Sequence, residues 1–378
     1  MPQDNMVTSI STAKATNPEM EPLFAPFKIK GLELPNRVVM SPMSRYVSPS
    51  GIPPAEFAAY HRRRVEGGVG LIMTGATGIA RPASNNDPNL AIFHSEALPV
   101  WQDVVDSVHA ASGKIALQLW HAGSAWNRDA DFRPGPIESP SGINDPWLPA
   151  SQGMSENDIA DTIAAFATAA GTAKAMGFDA IEIHGAHGFL IDQFFWKETN
   201  RRTDKWGGET LAERARFGIE VMRAVRRAVG PKFPLFMRIS QWKAQDYSAR
   251  PIETPAELEM WLGPLADAGV DLFHCSQRRF WEPEFEFSEM NLAGWAKKLT
   301  GRASMTVGSV GLTGDFFHRG QLRHAALDDL IRRLEAGEFD LVAVGRALLA
   351  DAAWAEKIRE GREAELKPFG REVQEVLR

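Results

Sequence analysis

Past a polar N-terminal stretch, the chain alternates between two hydrophobic patterns. Short apolar runs, several rich in β-branched residues, occupy 37–40, 69–74, 115–119, 179–183, 235–239, 270–274, 303–307 and 341–344, and they predict strands. Between them lie segments whose apolar positions recur every three or four residues. These predict helices over 55–65, 101–111, 211–229, 256–268, 292–299 and 327–334. A further helix opens at Ser155, where Asp158 completes a capping box and Ile159, Ile163 and Phe166 form the apolar face. A final helical tail begins at Trp354. Residues 23–32 read as a small hairpin ahead of the first strand.

Eight strand-helix alternations predict an α/β fold, a (β/α)8 TIM barrel with an N-terminal hairpin and long strand-to-helix insertions. A doubly wound open sheet would carry Gly-x-Gly-x-x-Gly after its first strand, and this chain does not. The expected organisation is a flexible tail over 1–20 and a single domain over 21–378. Two connections stand out. Residues 122–154 carry Trp126, Arg128, Phe132 and Trp147 and are expected to form a cap or hairpin over the barrel mouth, being far longer than an ordinary loop. Residues 277–285, after the sixth strand, bring Trp281 and several arginines to the same end.

Composition narrows the classes of function. With 378 residues, 44% of them hydrophobic, the chain can bury the large core that a barrel needs. The net charge of -6 and dispersed basic residues argue against a nucleic-acid partner. A single cysteine, Cys275, excludes an intrachain disulfide framework and reads as a buried thiol. Residues 1–19 lack a signal-like apolar core and no run has the length of a membrane span. The expectation is a cytoplasmic protein acting on a small molecule, alone or as a homo-oligomer. The basic triplet Arg62, Arg63 and Arg64 reads as a solvated helix end.

Barrel enzymes place their chemistry just past the carboxyl ends of the strands, which makes Ser44, Ala76, Gln118, His184, His187, Arg238 and Arg346 candidates. The fourth strand delivers two imidazoles into a glycine-punctuated turn, His184-Gly185-Ala186-His187-Gly188. A zinc site is disfavoured there, because no neighbouring cysteine or acidic cluster supplies the remaining ligands. Gly308 and Ser309 after the seventh strand, with Gly345 and Arg346 after the eighth, suit a phosphate, although close helix packing also explains the glycines.

Taken together, Ser41-Pro42-Met43, Thr74-Gly75-Ala76-Thr77, Gln118-Leu119-Trp120-His121-Ala122-Gly123, His184-Gly185-Ala186-His187-Gly188, Asn200-Arg201-Arg202-Thr203-Asp204 and Val344-Gly345-Arg346 resemble the motifs of the Old Yellow Enzyme family. The resemblance implies noncovalent FMN, with NADH or NADPH as reductant. It places Ser41, Pro42, Met43, Ala76 and Gln118 against the isoalloxazine, Ser44 near O4 and Arg238 beside N1 and O2. Gly308, Ser309, Gly345 and Arg346 would hold the phosphate, and His184 and His187 would bind the oxygen of an activating carbonyl or nitro group. Tyr46 and Phe189 would contact substrate; Trp281, from the insertion after the sixth strand, is a further substrate-contact candidate that packing of the cap explains about as well. Phe189 departs from the family pattern, since many relatives have at this point a tyrosine that protonates the substrate carbon. The implied activity is hydride transfer from NADH or NADPH through FMN to an activated alkene. A flavin-dependent amine dehydrogenase, demethylase or C–N bond-cleaving enzyme is the alternative, and a flavin-free phosphate-binding lyase or isomerase the third reading.

Overall fold

All eight predicted strands are present in the computed structural model, which describes residues 16–126, 132, 134–145, 148–149, 152–314, 322, 324–374 and 376–377. In order they are Val38–Met40, Leu71–Met73, Ile115–Trp120, Ala180–His184, Leu235–Ile239, Leu272–Ser276, Ala303–Val307 and Leu341–Val344. Each pairs in parallel with the next, and the eighth returns to the first through Val342 opposite Val38 and Val344 opposite Met40. The sheet therefore closes into the barrel that the alternation predicted.

Strand side chains alternate in direction, so positions two apart share a face and the barrel fills in layers. The lowest layer is apolar, with Val39, Leu71, Ala116, Ala180, Phe236, Leu272, Met305 and Leu341 in one cluster. Leu32 and Leu34 of the hairpin, which pairs Phe27–Ile29 with Leu32–Leu34, join that cluster and plug the amino end of the barrel. Two residues farther along four adjacent strands, the inward positions become Gln118, Glu182, Arg238 and His274, all buried. A polar layer thus rests on a dry floor. Outward-facing residues such as Ile72, Ile181, Met237 and Phe273 belong to a separate core shared with Trp101, Phe166, Phe217 and Trp261 of the surrounding helices.

The helices follow the predicted periodicity with local corrections. Ser155 and Asp158 form the expected reciprocal capping box at the head of Glu156–Ala175. The segment foreseen as one helix over 211–229 divides at Ala215 into Leu211–Arg214 and Arg216–Val229. Two short helices, Leu190–Phe195 and Arg346–Ala350, lie too close to their glycine turns to show a period. Within the expected tail, the Asn17 side chain accepts the Glu19 N–H and caps a 3-10 turn over Pro18–Met20, while the Asn17 N–H reaches the Arg359 carbonyl.

One expectation is overturned inside the helix Glu56–Glu66. Arg64 is fully buried, its guanidinium 3.8 Å from the centre of the Tyr60 ring and donating to the carbonyls of Tyr60 and Leu348. Arg62 and Arg63 keep more solvent exposure, so the triplet is not a uniformly solvated end. In the long connection after the third strand, Ile143–Asp145 pairs with Leu148–Pro149 in the expected hairpin, and Trp126 stacks on Phe132 with ring centres 6.0 Å apart. Arg128 and Trp147 lie outside the described residues. Among the described residues, no helix is long and apolar enough to cross a membrane.

Candidate active site

A cavity of about 550 Å³ opens at the carboxyl end of the barrel. Its wall includes Ser41, Pro42, Met43 and Ser44 after the first strand, Gly308 and Ser309 after the seventh, and Gly345 and Arg346 after the eighth. A neighbouring space of about 200 Å³ adds Ala76, Gln118 and His184, and the two share Tyr46, His187, Phe189 and Arg238. Strand ends from all around the barrel thus meet at one place. Trp281 does not line either space; it packs edge-on against Phe280, with ring centres 5.0 Å apart, which corrects its expected place at the substrate. From the same insertion, Gln277 and Arg278 do reach the wall. No described residue of 122–154 does, so the expected cap is not part of the described lining.

The two histidines are fixed by different means. The His184 Nδ1 accepts the Ala186 N–H at 3.4 Å, which leaves its Nε2 to carry the proton. His187 adopts φ +64°, and its Nε2 lies 2.8 Å from the Ser276 hydroxyl. Arg238 donates to that same hydroxyl at 3.3 Å, freeing the Ser276 proton for His187. Burial, reinforced by the Arg238 charge, holds both imidazoles well below the usual histidine range. Both are therefore neutral at ordinary pH, His184 with its proton on Nε2 and His187, which accepts from Ser276 at Nε2, with its proton on Nδ1.

The loop carrying His187 rests on a buried ion pair that the sequence reading missed. Lys243 Nζ lies 2.6 Å and 2.9 Å from the two carboxylate oxygens of Asp192, with side chains 1% and 0% exposed. Asp192 also accepts the Gly188 N–H at 2.7 Å, and the Ala244 N–H donates to the His187 carbonyl at 3.1 Å. Gly188 has φ +76°, which a side chain would resist. Beyond this loop, Trp242 stacks on His187 at 4.3 Å and Tyr247 stacks on Trp242 at 5.2 Å. Arg278 sits 5.9 Å from the Tyr247 ring centre and completes that wall.

Opposite, the Phe189 ring stands edge-on to both Trp120 and His184, with centres 5.1 Å apart in each case. It presents an apolar face to the cavity. Tyr46, exposed at the mouth, has φ +50°, and Ser309 has φ +51°. With His187, three non-glycine residues in the left-handed region surround the cavity, and strain of that kind collects at functional sites.

The polar layer below contains two further residues absent from the sequence reading. Glu182 accepts the Gln118 amide at 2.6 Å through one carboxylate oxygen, and its other oxygen lies 2.7 Å from His274 Nδ1. Their signal was present as a charged and an ionisable residue at inward positions of apolar strands, Ile181-Glu182-Ile183 and Phe273-His274-Cys275. On the far side of Gln277 lies Glu284, a buried carboxylate bonded by Gln241 at 2.7 Å and by Arg250. Burial pushes its pKa up to about 7 from 4.5. The folded state therefore retains a proton that the unfolded chain releases, and the stability it contributes is lost as pH rises from about 4.5 to about 7. Glu284→Gln should accordingly raise Tm relative to wild type above neutral pH, with the gap closing by about pH 4.5. Thermal melts of the two proteins at acid and alkaline pH check this, and an unchanged gap would refute it.

The lining suits FMN on its own evidence. Arg238 is buried, and its Nε has no hydrogen-bond partner among the described residues, so a guanidinium edge awaits an acceptor. At Gly308, with φ +148°, a Cβ would stand 2.6 Å from the Gln277 carbonyl oxygen, so the turn beside Ser309 requires glycine. The Arg346 guanidinium sits beside it, donating to the Gly314 carbonyl at 3.0 Å. A cation at one edge and an amide-rich turn with a second cation at the other fit a flavin ring carrying a phosphate tail.

Residues 22–365 match the NADH:flavin oxidoreductase / NADH oxidase family. The chain is 35% identical over 333 residues to an NADPH dehydrogenase of Bacillus cytotoxicus, covering 86% of this chain and 89% of the relative. An NADH oxidase of Thermoanaerobacter brockii is 31% identical over 354 residues, which cover 91% of this chain and 52% of that longer protein. Among solved structures, morphinone reductase in complex with tetrahydroNAD superimposes with a TM-score of 0.77 at 26% identity, covering 93% of each chain. Sequence, barrel and lining agree: the chain belongs to the NADH:flavin oxidoreductase / NADH oxidase family and is an FMN-binding, NAD(P)H-dependent oxidoreductase of the Old Yellow Enzyme type.

Proposed function

We propose that the substrate is an electrophilic alkene, an α,β-unsaturated carbonyl or nitro compound, whose activating oxygen is held by His184 and His187. The observation that carries this reading is two neutral imidazoles, 5.0 Å apart between ring centres, on the wall of the cavity that Arg238 also lines. When bound, FMN supplies the redox chemistry, accepting hydride from the reduced nicotinamide and returning it to the substrate.

The chain's own residues do the rest. Pro42, Met43, Ala76 and Gln118 would hold the ring, Ser41 and Ser44 would flank it, and Arg238 would neutralise the edge where charge accumulates on reduction. Gly308, Ser309, Gly345 and Arg346 would hold the phosphate. The histidine N–H groups would stabilise the oxygen that becomes negative as hydride reaches the β-carbon. Tyr46 would meet the substrate at the mouth, and the Trp242–Tyr247 stack would offer it a flat wall. In a direct test, the reduced enzyme should be reoxidised anaerobically by 2-cyclohexenone, while amines added to the oxidised enzyme should not reduce it. The opposite pair of outcomes would establish the amine-oxidising alternative, which the apolar Phe189 favours because amine oxidation needs no carbon protonation there.

Phe189→Tyr sharpens the comparison. If the enone reading holds, the phenol should protonate the α-carbon and accelerate single-turnover oxidation of reduced enzyme by 2-cyclohexenone, by up to about 100-fold. Its solvent isotope effect should change as well. Unaltered rates with enone binding preserved would show that proton delivery does not limit this enzyme.

A further inference from the structure

The polar layer under the cavity contains more titratable chemistry than holding a flavin requires. His274 and Glu182 are both 0% exposed and lie 2.7 Å apart, while His274 Nε2 has no hydrogen-bond partner among the described residues. Arg238 occupies the register position beside His274 on the neighbouring strand. We propose that His274 takes up a proton from solvent when FMN is reduced, so that the layer stays charge-balanced. This rests on the assignment of Arg238 to the flavin edge made above.

The argument is one of counting charge. With FMN oxidised, a Glu182 carboxylate, the Arg238 guanidinium and a neutral His274 sum to zero. Reduction adds two electrons and one proton to the flavin, both delivered as hydride by NADPH, and leaves one negative charge on the edge facing Arg238. An uncompensated charge in a dry interior is costly, and one strand from Arg238 stands an imidazole already bonded to a carboxylate, which can cancel it by taking a proton. Protonated His274 would donate to Glu182 through Nδ1 as an ion pair. The balance is then two electrons and two protons, hydride supplying one proton and solvent the other.

The other groups facing His274 set what reduction has to overcome. Burial and the Arg238 charge pull its pKa below the ordinary histidine value, and Glu182 opposes them. Negative charge gained beside Arg238 would cancel the second of these depressing effects. His184 and His187 also feel His274, but neither hydrogen-bonds a carboxylate among the described residues. Gln118 on the third strand is neutral, and Met305, opposite His274 on the seventh, is apolar.

The test is the pH dependence of the flavin midpoint potential in the holoenzyme, read by spectroelectrochemistry. In the wild type the potential should fall with pH twice as steeply as in His274→Asn, with two protons per two electrons against one. Glu182→Gln should lose the extra slope as well, because the imidazolium has lost its carboxylate. A one-proton slope in the wild type overturns the proposal, and so does a steep slope that survives in His274→Asn, since the proton then resides elsewhere. Should the variants not retain FMN, nitrogen NMR of histidine-labelled wild type decides instead: His274 should be neutral with oxidised flavin and protonated with reduced flavin, and no change overturns the idea. Protein that binds no FMN, or is not reduced by NADPH, would overturn the functional reading, and this proposal, which rests on it, would fall with it.

Discussion

His187→Ala is expected to leave reduction of the enzyme by NADPH largely intact while slowing its reoxidation by cyclic enones by about 10-fold to 1,000-fold. The two half-reactions separate because the imidazole is assigned to the substrate's oxygen, whose charge grows only as hydride reaches the alkene. His184→Ala should behave alike, and the double variant should cost less than the product of the two, since one oxyanion shares both donors. Because both imidazoles sit well below the usual histidine range, the fast oxidative phase should show no titration near pH 6.5 attributable to them. Stopped-flow traces in each direction measure this. Equal loss in both half-reactions would point to a displaced flavin, and no loss in either would remove the pair from the site.

The largest stability effect should come from Lys243→Met. Removing one member of a buried ion pair strands the other, at a cost of about 3–5 kcal/mol. Here the stranded group is Asp192, which also holds the Gly188 N–H, so the His187 turn should loosen along with the fold. Lys243→Met combined with Asp192→Asn should recover part of the loss, because the neutral amide needs no counter-charge. Denaturant midpoints for both variants are the measurement. A single variant as stable as wild type would show that water reaches Asp192.

Much of this was legible in the sequence because the barrel repeats one rule. Strands at 235–239, 303–307 and 341–344 were read with the boundaries found, since short apolar runs between glycines and helices leave little choice. The residues that line the cavity were legible for a similar reason: motifs at strand ends must face the same mouth. What escaped depended on distance in sequence or on packing. Lys243 and Asp192 lie 51 residues apart, and nothing local marks either as the other's partner. Glu182 sat in plain view, but its role emerged only when closure set Gln118 and His274 against it. Trp281 failed in the opposite sense, because proximity in sequence to Arg278 did not settle which way the chain turned. Arg64 shows the limit of composition, since a basic triplet spreads its members around a helix and one faces inward.

The seam between the first and eighth strands sets the order in which this protein can be made. Arg37 donates to the Asp340 carbonyl at 2.9 Å across 303 residues, and Arg45 holds the carbonyls of Val373, Gln374 and Val376. Until those residues leave the ribosome, the first strand has one edge without its neighbour and the growing sheet cannot close. At ordinary synthesis rates that interval lasts roughly 15–60 s. Throughout it an unpaired edge is a template for the wrong strand. The nascent chain should therefore depend on chaperones until the eighth strand emerges, and slowing translation between the first and eighth strands should reduce the soluble yield.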